Sequence, residues 1–377
     1  MPIMARGSAC RGPSAMRRSR ESTTLRDVVA SSACWASTLH QASTKREKCR
    51  CYNRYHRIRQ EALCPAPSLF PRALFCSEAR TVPVPHFISI LLDSHPDLVV
   101  GPEIDFIEPV DLGPHVVAAC DLMDRGDARV TGTTKESIDP EWYDGMHFVL
   151  QCERFGLGRD DVRTLVAGLM AERRSNLTTL EERCLVIDCI GEFQRRRTGA
   201  RRWGLKLQRK IKDIGKYAAI WPHAHFVHLI RDGRDLTASH FKTVPDWGYR
   251  TVADAARGWL EVVAGPRLTA PEGRYLEVRY EDLVTHPRAT IERILDHLGV
   301  PWHEAVLHNT DYSHTLFDTP RGHPAAEAAG KPLYTSRNGR YLQDLTPSQI
   351  DAFERIAGKE LENLGYSLSA PNRGSAK

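Results

Sequence analysis

Arg231, Gly233 and Ser239 are residues whose types and spacing suit the binding of a phosphate. They follow Phe226-Val227-His228-Leu229-Ile230, an apolar run that reads as a buried strand, and Asp235 to Lys242 continues as a helix. A loop leading from a strand end into a helix N-terminus presents backbone N–H groups beside a partial positive charge, which attracts anions. Arg231 can fork two donors onto a phosphate, Gly233 admits close backbone approach, and the Ser239 hydroxyl adds a donor from the helix. Arg231-Asp232-Gly233-Arg234-Asp235 equally fits an exposed turn held by ordinary Arg/Asp pairs.

Such a loop needs a sheet to hold it. Trp203 to Leu207 reads as a strand, Ile211 to Trp221 as a helix, and Tyr275 to Tyr280 as a further strand; Arg288 to Leu298 is an amphipathic helix closed by Gly299. Upstream, Ile90-Leu91-Leu92 runs into Asp93-Ser94-His95-Pro96 as the last turn of a buried helix stopped by proline. Leu98-Val99-Val100 is a short strand ending at Gly101-Pro102-Glu103. Helical patterns cover Glu141 to Phe155 and Arg159 to Arg174, and Leu185-Val186-Ile187-Asp188 reads as a strand. Alternating strands and helices predict right-handed βαβ units and an α/β fold with a parallel central sheet.

The net charge of +5 is unevenly placed. Residues 1–87 carry 15 basic and 5 acidic side chains, whereas 88–377 carry 37 and 42. A nucleic-acid partner is therefore not expected, because the basic excess belongs to one end only. That end also holds Cys10, Cys34, Cys49, Cys51, Cys64 and Cys76, in spacings that match no paired zinc-ligand pattern, so no metal is expected. Residues 1–73 lack periodicity and predict no packed core. The chain divides on this reading into an atypical basic, Cys-rich segment, 1–87, and a globular domain, 88–377. Apolar runs of the length of a membrane span, about eighteen residues, are missing, as is a signal-like stretch in the first thirty residues, so a cytoplasmic protein is the expectation.

Phe226 to Ser239 resembles the 3′-phosphate-binding segment of sulfotransferases that use 3′-phosphoadenosine 5′-phosphosulfate (PAPS). Arg279-Tyr280-Glu281-Asp282-Leu283, followed by His286-Pro287 and Ile294 to Val300, is a second match in the family's order. Leu92 to Leu98, leading to Glu103, is a third, and Gly339-Arg340-Tyr341 and Leu364-Gly365-Tyr366 fit the family's tail. The resemblance spans about 88–367 and leans to the bacterial and tyrosylprotein branch. It implies a P-loop NTPase-like three-layer fold, with Arg231 and Ser239 on the nucleotide 3′-phosphate and Tyr280 near the adenosine. Lys206 matches the lysine beside the donor's bridging oxygen, where an ammonium neutralises charge developing on the departing phosphate; a bland surface lysine is the alternative, since Gln208 and Arg209 depart from the family's continuation. Glu103 is the candidate general base, with Asp105 and Glu108 as competing carboxylates. His95, which precedes Pro96, reads instead as a helix-end residue. The implied partner is a hydroxyl-bearing acceptor of open class, in a pocket built from Glu141 to Arg174 and His308 to Leu333.

The family's glycine-rich loop, Arg-Ser-Gly-Thr-Thr, grips the donor's 5′-phosphosulfate through backbone N–H groups. At its place this chain reads Arg80-Thr81-Val82-Pro83-Val84-Pro85-His86-Phe87, where two prolines remove donors. Thr131-Gly132-Thr133-Thr134-Lys135 lacks the spacing to substitute. Joining the last base of each codon to the first two of the next, however, permits Arg at Thr81/Val82, Ser at Val82/Pro83, Gly at Pro83/Val84, Thr at Val84/Pro85 and Thr at Pro85/His86. His86/Phe87 permits only Leu or Phe, and the spacing onward to Leu91-Leu92-Asp93 then matches the family. Three readings result: a PAPS-dependent sulfotransferase whose first 87 residues are read out of frame, a catalytically impaired remnant of that fold, and another nucleotide-using transferase such as a kinase, disfavoured because no acidic metal-binding strand end accompanies the half-site.

Overall fold

The computed structural model describes residues 87–103, 112–130, 140–243, 249–312 and 338–369, together with the backbone of 73–78. Asp105, Glu108, the proline-bearing stretch 79–86, Thr131 to Lys135 and most of His308 to Leu333 lie outside the described residues. In chain order the elements are β1 (Ala73–Glu78), α1 (Phe87–Asp93), β2 (Leu98–Val100), α2 (Leu112–Asp124), α3 (Pro140–Arg154), α4 (Arg159–Arg173), α5 (Leu180–Thr198) and β3 (Arg202–Lys206). A 3-10 turn (Gln208–Asp213) then leads to α6 (Ile214–Ile220), β4 (His225–Ile230), α7 (Gly233–Thr243), α8 (Val252–Thr269), β5 (Tyr275–Arg279), α9 (Tyr280–Thr285), α10 (Pro287–Leu298), α11 (Tyr341–Asp344) and α12 (Pro347–Asn363).

The five strands form one sheet in the order β2-β3-β1-β4-β5, and every pairing is parallel. Parallel neighbours need crossovers that cover both faces, so their strands are apolar throughout. β4 shows this: Phe226 packs into the core formed with α2 to α6, whereas Val227 and Leu229 join Ile88, Leu91, Ile294 and Leu298 on the opposite face. Ile230, at the strand end, enters a third cluster with Trp259 of α8 and Phe353 of α12. The result is the α/β, three-layer arrangement expected from the sequence. Its central strand, β1, lies on the N-terminal side of the compositional boundary at 87, with Leu74 in register with Gly204 and His225. Among the described residues no helix is long and apolar enough to cross a membrane.

One expected strand is wrong. Leu185 to Asp188 lies inside α5, a helix of 19 residues. Thr179 caps it, accepting from the Glu182 N–H at 3.2 Å while the Glu182 carboxylate accepts from the Thr179 N–H at 3.1 Å. Glu181 and Glu182 in the first turn and Arg195 to Arg197 in the last suit the helix dipole. A four-residue apolar run cannot distinguish strand from buried helix, and these end signals decide it.

Burial on β4 has a consequence for acid stability. The His228 side chain is fully buried, its Nδ1 is 2.8 Å from the Tyr275 hydroxyl, and desolvation pushes its pKa down to about 4. An imidazole in the unfolded chain titrates near 6.5. Between those values the unfolded chain holds the extra proton, so stability declines as pH falls through that interval. We expect the thermal midpoint to drop from pH 7 to pH 5, and the drop to be smaller in His228→Gln; identical pH profiles for the two proteins would show that His228 is not held neutral.

Candidate active site

Two candidate residues meet at the carboxyl end of the sheet. Lys206 is the last residue of β3 and is 4% exposed, and its Nζ lies 3.3 Å from Glu103 Oε2. The contact brings opposite charges together without a directed hydrogen bond to that oxygen. Three features place Glu103. Asp93 at the end of α1 accepts the Val100 N–H at 2.9 Å, and the Gly101 N–H continues the ladder to the Gly204 carbonyl at 2.8 Å. A Cβ on Gly101 would sit 2.6 Å from the Phe155 ring, so only glycine lets the chain pass beneath α3 there.

The loop after β4 is anchored from many sides. Arg231 is 4% exposed, with its guanidinium 4.8 Å from the centre of the Tyr280 ring and 3.6 Å from Asp235 Oδ2. Its carbonyl accepts from Trp259 Nε1 at 3.0 Å. Arg234, the other arginine of the loop, turns inward to Asp232 at 2.7 Å, Glu354 at 2.5 Å and the Ser367 carbonyl at 2.9 Å, and stacks over Tyr341. Gly233 has a different use from the one its sequence position suggests: a Cβ there would overlap the rings of Phe353 and Trp259, so its bare face serves protein packing. Ser239 sits half-buried in the second turn of α7.

Register relates these groups. Lys206 and Val227 are both level with Cys76 of β1, two strand spacings of about 4.8 Å apart. Arg231 lies beyond the end of β4, about 13 Å further along the strand direction. The backbones of Lys206 and Arg231 therefore lie roughly 16 Å apart, and β1 ends between them at Glu78. His95 does not join them: its Nδ1 accepts the Asp97 N–H at 3.0 Å, its Nε2 is 2.8 Å from the Pro301 carbonyl, and burial lowers its pKa. A groove of about 900 Å³ between α2 and α4, lined by Pro114, Val117 and Met170 among others, contains none of the candidate residues.

A family profile described as the sulfotransferase family matches residues 87–304, more than half of the chain. The chain belongs to the sulfotransferase family. Protein-tyrosine sulfotransferase 1 of Danio rerio is 32% identical over 107 residues, 27% of this chain and 30% of that protein. Protein-tyrosine sulfotransferase 2 of Gallus gallus is 30% identical over 178 residues, 44% of this chain and 47% of its own length. The matched stretches thus span less than half of these curated relatives. The sulfotransferase domain from the Synechococcus PCC 7002 olefin synthase shares the fold, with a TM-score of 0.54 at 21% identity over 80% of this chain and 98% of that one.

Two further carboxylates of this sulfotransferase-family protein have partners at the loop that their motifs alone do not show. Asp235 accepts from the Gly339 and Tyr341 N–H groups at 2.8 and 2.9 Å, and burial raises its pKa. Glu281, likewise raised by burial, accepts from the Asp232 N–H at 3.1 Å and from the Tyr366 hydroxyl at 2.8 Å. Their acidic character was visible, but their partners lie far away in sequence. Removing Arg234 would leave Asp232 and Glu354 without their buried counter-charge. We expect Arg234→Ala to cost about 3–5 kcal/mol in denaturant unfolding; a loss below about 1 kcal/mol would mean the ion cluster is not structural.

Proposed function

We propose that the protein binds PAPS and transfers its sulfuryl group to a hydroxyl acceptor. The observation that carries this is the 3.3 Å contact of Lys206 with Glu103 at the sheet edge onto which the Arg231 loop also opens. On this reading Arg231 and Ser239 hold the 3′-phosphate and Tyr280 borders the adenosine. Glu103 takes the acceptor's proton as its oxygen attacks sulfur; the bond from sulfur to the bridging oxygen breaks, and Lys206 neutralises the charge left on the departing phosphate. The names of the curated relatives make a protein tyrosine hydroxyl the first acceptor to try. Cytoplasmic residence belongs to the same proposal and is open to fractionation.

We further propose that residues 1–87 are read out of frame and that the domain begins near Ile88 with its preceding strand and loop encoded in the other frame. Two prolines stand where the phosphosulfate needs backbone donors, and the shifted codons permit Arg-Ser-Gly-Thr-Thr there. They also permit Val-Leu-Phe-Gly across Leu74 to Glu78, so an apolar strand between β3 and β4 suits both frames. If the written frame is genuine, the second reading, an impaired remnant, gains.

Resequencing the locus tests the frame: an uninterrupted frame through codons 70–92 removes the proposal. With the frame-corrected protein and a labelled donor, Lys206→Ala should lower kcat by about 10²–10³-fold. Glu103→Gln should lower it by about 10²–10⁴-fold while leaving retention on immobilised adenosine 3′,5′-bisphosphate unchanged. Wild-type turnover in Glu103→Gln would transfer the base role to another carboxylate.

A further inference from the structure

The residues beyond α12 fold back onto the loop that follows β4. Tyr366 donates its hydroxyl to Glu281 Oε2 at 2.8 Å, and Glu281 Oε1 accepts the Asp232 N–H at 3.1 Å. Asp232 is the residue directly after Arg231, so this N–H belongs to the peptide that sets the direction in which Arg231 leaves the strand. Tyr280, next to Glu281, lies beneath the Arg231 guanidinium. One dipeptide at the start of α9 thus fixes Arg231 twice, through its side chain by the ring and through its backbone by the carboxylate. The Tyr366 ring packs with Phe353 and Leu361, while Arg279 covers it at 4.3 Å. Ring and hydroxyl therefore have separable roles, the first in the core and the second toward the loop.

We infer that Glu281 and Tyr366 are positioning residues for recognition of the nucleotide 3′-phosphate, acting through the Asp232 amide on Arg231 without touching the nucleotide. This rests on the proposed role of Arg231. A purely structural role would make a different pattern. Loss of the Tyr366 hydroxyl would then lower the thermal midpoint and weaken nucleotides with and without a 3′-phosphate alike. A misaimed Arg231 weakens only those that carry it, because a fork of two N–H donors tolerates little angular error.

The test compares dissociation constants of adenosine 3′,5′-bisphosphate and adenosine 5′-monophosphate for the full chain and three variants. Wild type should prefer the bisphosphate. Tyr366→Phe should shrink that preference by about fivefold, the worth of one hydrogen bond, with the monophosphate constant unchanged. Glu281→Ala should shrink it further, and Glu281→Gln, whose amide oxygen can still accept from Asp232, should recover most of it. Tyr366→Phe keeps the buried ring and carries the test alone if Glu281→Ala does not fold. An unchanged preference in Tyr366→Phe, with wild type discriminating, overturns the positioning role and leaves Arg231 as the phosphate ligand. Equal affinities in wild type overturn the role of Arg231 and this inference with it.

Discussion

A guanidinium taken out of water must be met by opposite charge and by acceptors for its N–H groups, and Arg234 finds these in three separate parts of the chain. Asp232 comes from its own loop, Glu354 from α12 and the Ser367 carbonyl from the tail. The helix, the tail and the loop after β4 are therefore joined at one buried point, and the loop's shape follows from it. Gly233, wedged against Trp259 of α8 and Phe353 of α12, completes the constraint by bringing a second helix onto the same backbone.

That rigidity separates two arginines that composition cannot distinguish. Arg234 is held by Asp232 and Glu354, whereas Arg231 is stacked on Tyr280 and faces Asp235 at the edge where the strands end. Lys206 stands at the same edge with its carboxylate partner Glu103, two strands across. Between them the central strand comes to its end. The sheet thus sets the backbone positions of Lys206 and Arg231 on one edge, a layout that suits the extended polyanionic donor proposed above.

Much of this was legible because it is local. The strand, the glycine-bearing turn and the helix within fourteen residues were placed where they stand, and apolar runs revealed β2 to β5 with errors of a residue or so at their ends. Leu185 to Asp188 reads as a strand only in isolation; Thr179 and Glu182, a few residues earlier, are capping residues that mark a helix. The clasp around the loop was illegible for another reason. Glu281 is 49 residues from Asp232, Tyr366 is 85 from Glu281 and Glu354 is 120 from Arg234, and no short-range pattern encodes such pairings. The bare face of Gly233 likewise gives no sign whether a ligand or an aromatic ring will occupy it.

The clasp also imposes an order of events during synthesis. Arg234 leaves the ribosome long before Glu354, Tyr366 and Ser367 do. At about 5–20 residues per second, the 120 residues between Arg234 and Glu354 take roughly 6–24 s to make. Through that time Arg234 has Asp232 of its own loop but neither Glu354 nor the Ser367 carbonyl. A chain released before α12 would carry the sheet, Lys206 and Glu103, yet lack the Glu354, Tyr366 and Ser367 contacts around the loop after β4, so that loop gains its last anchors among the final steps of the protein's making.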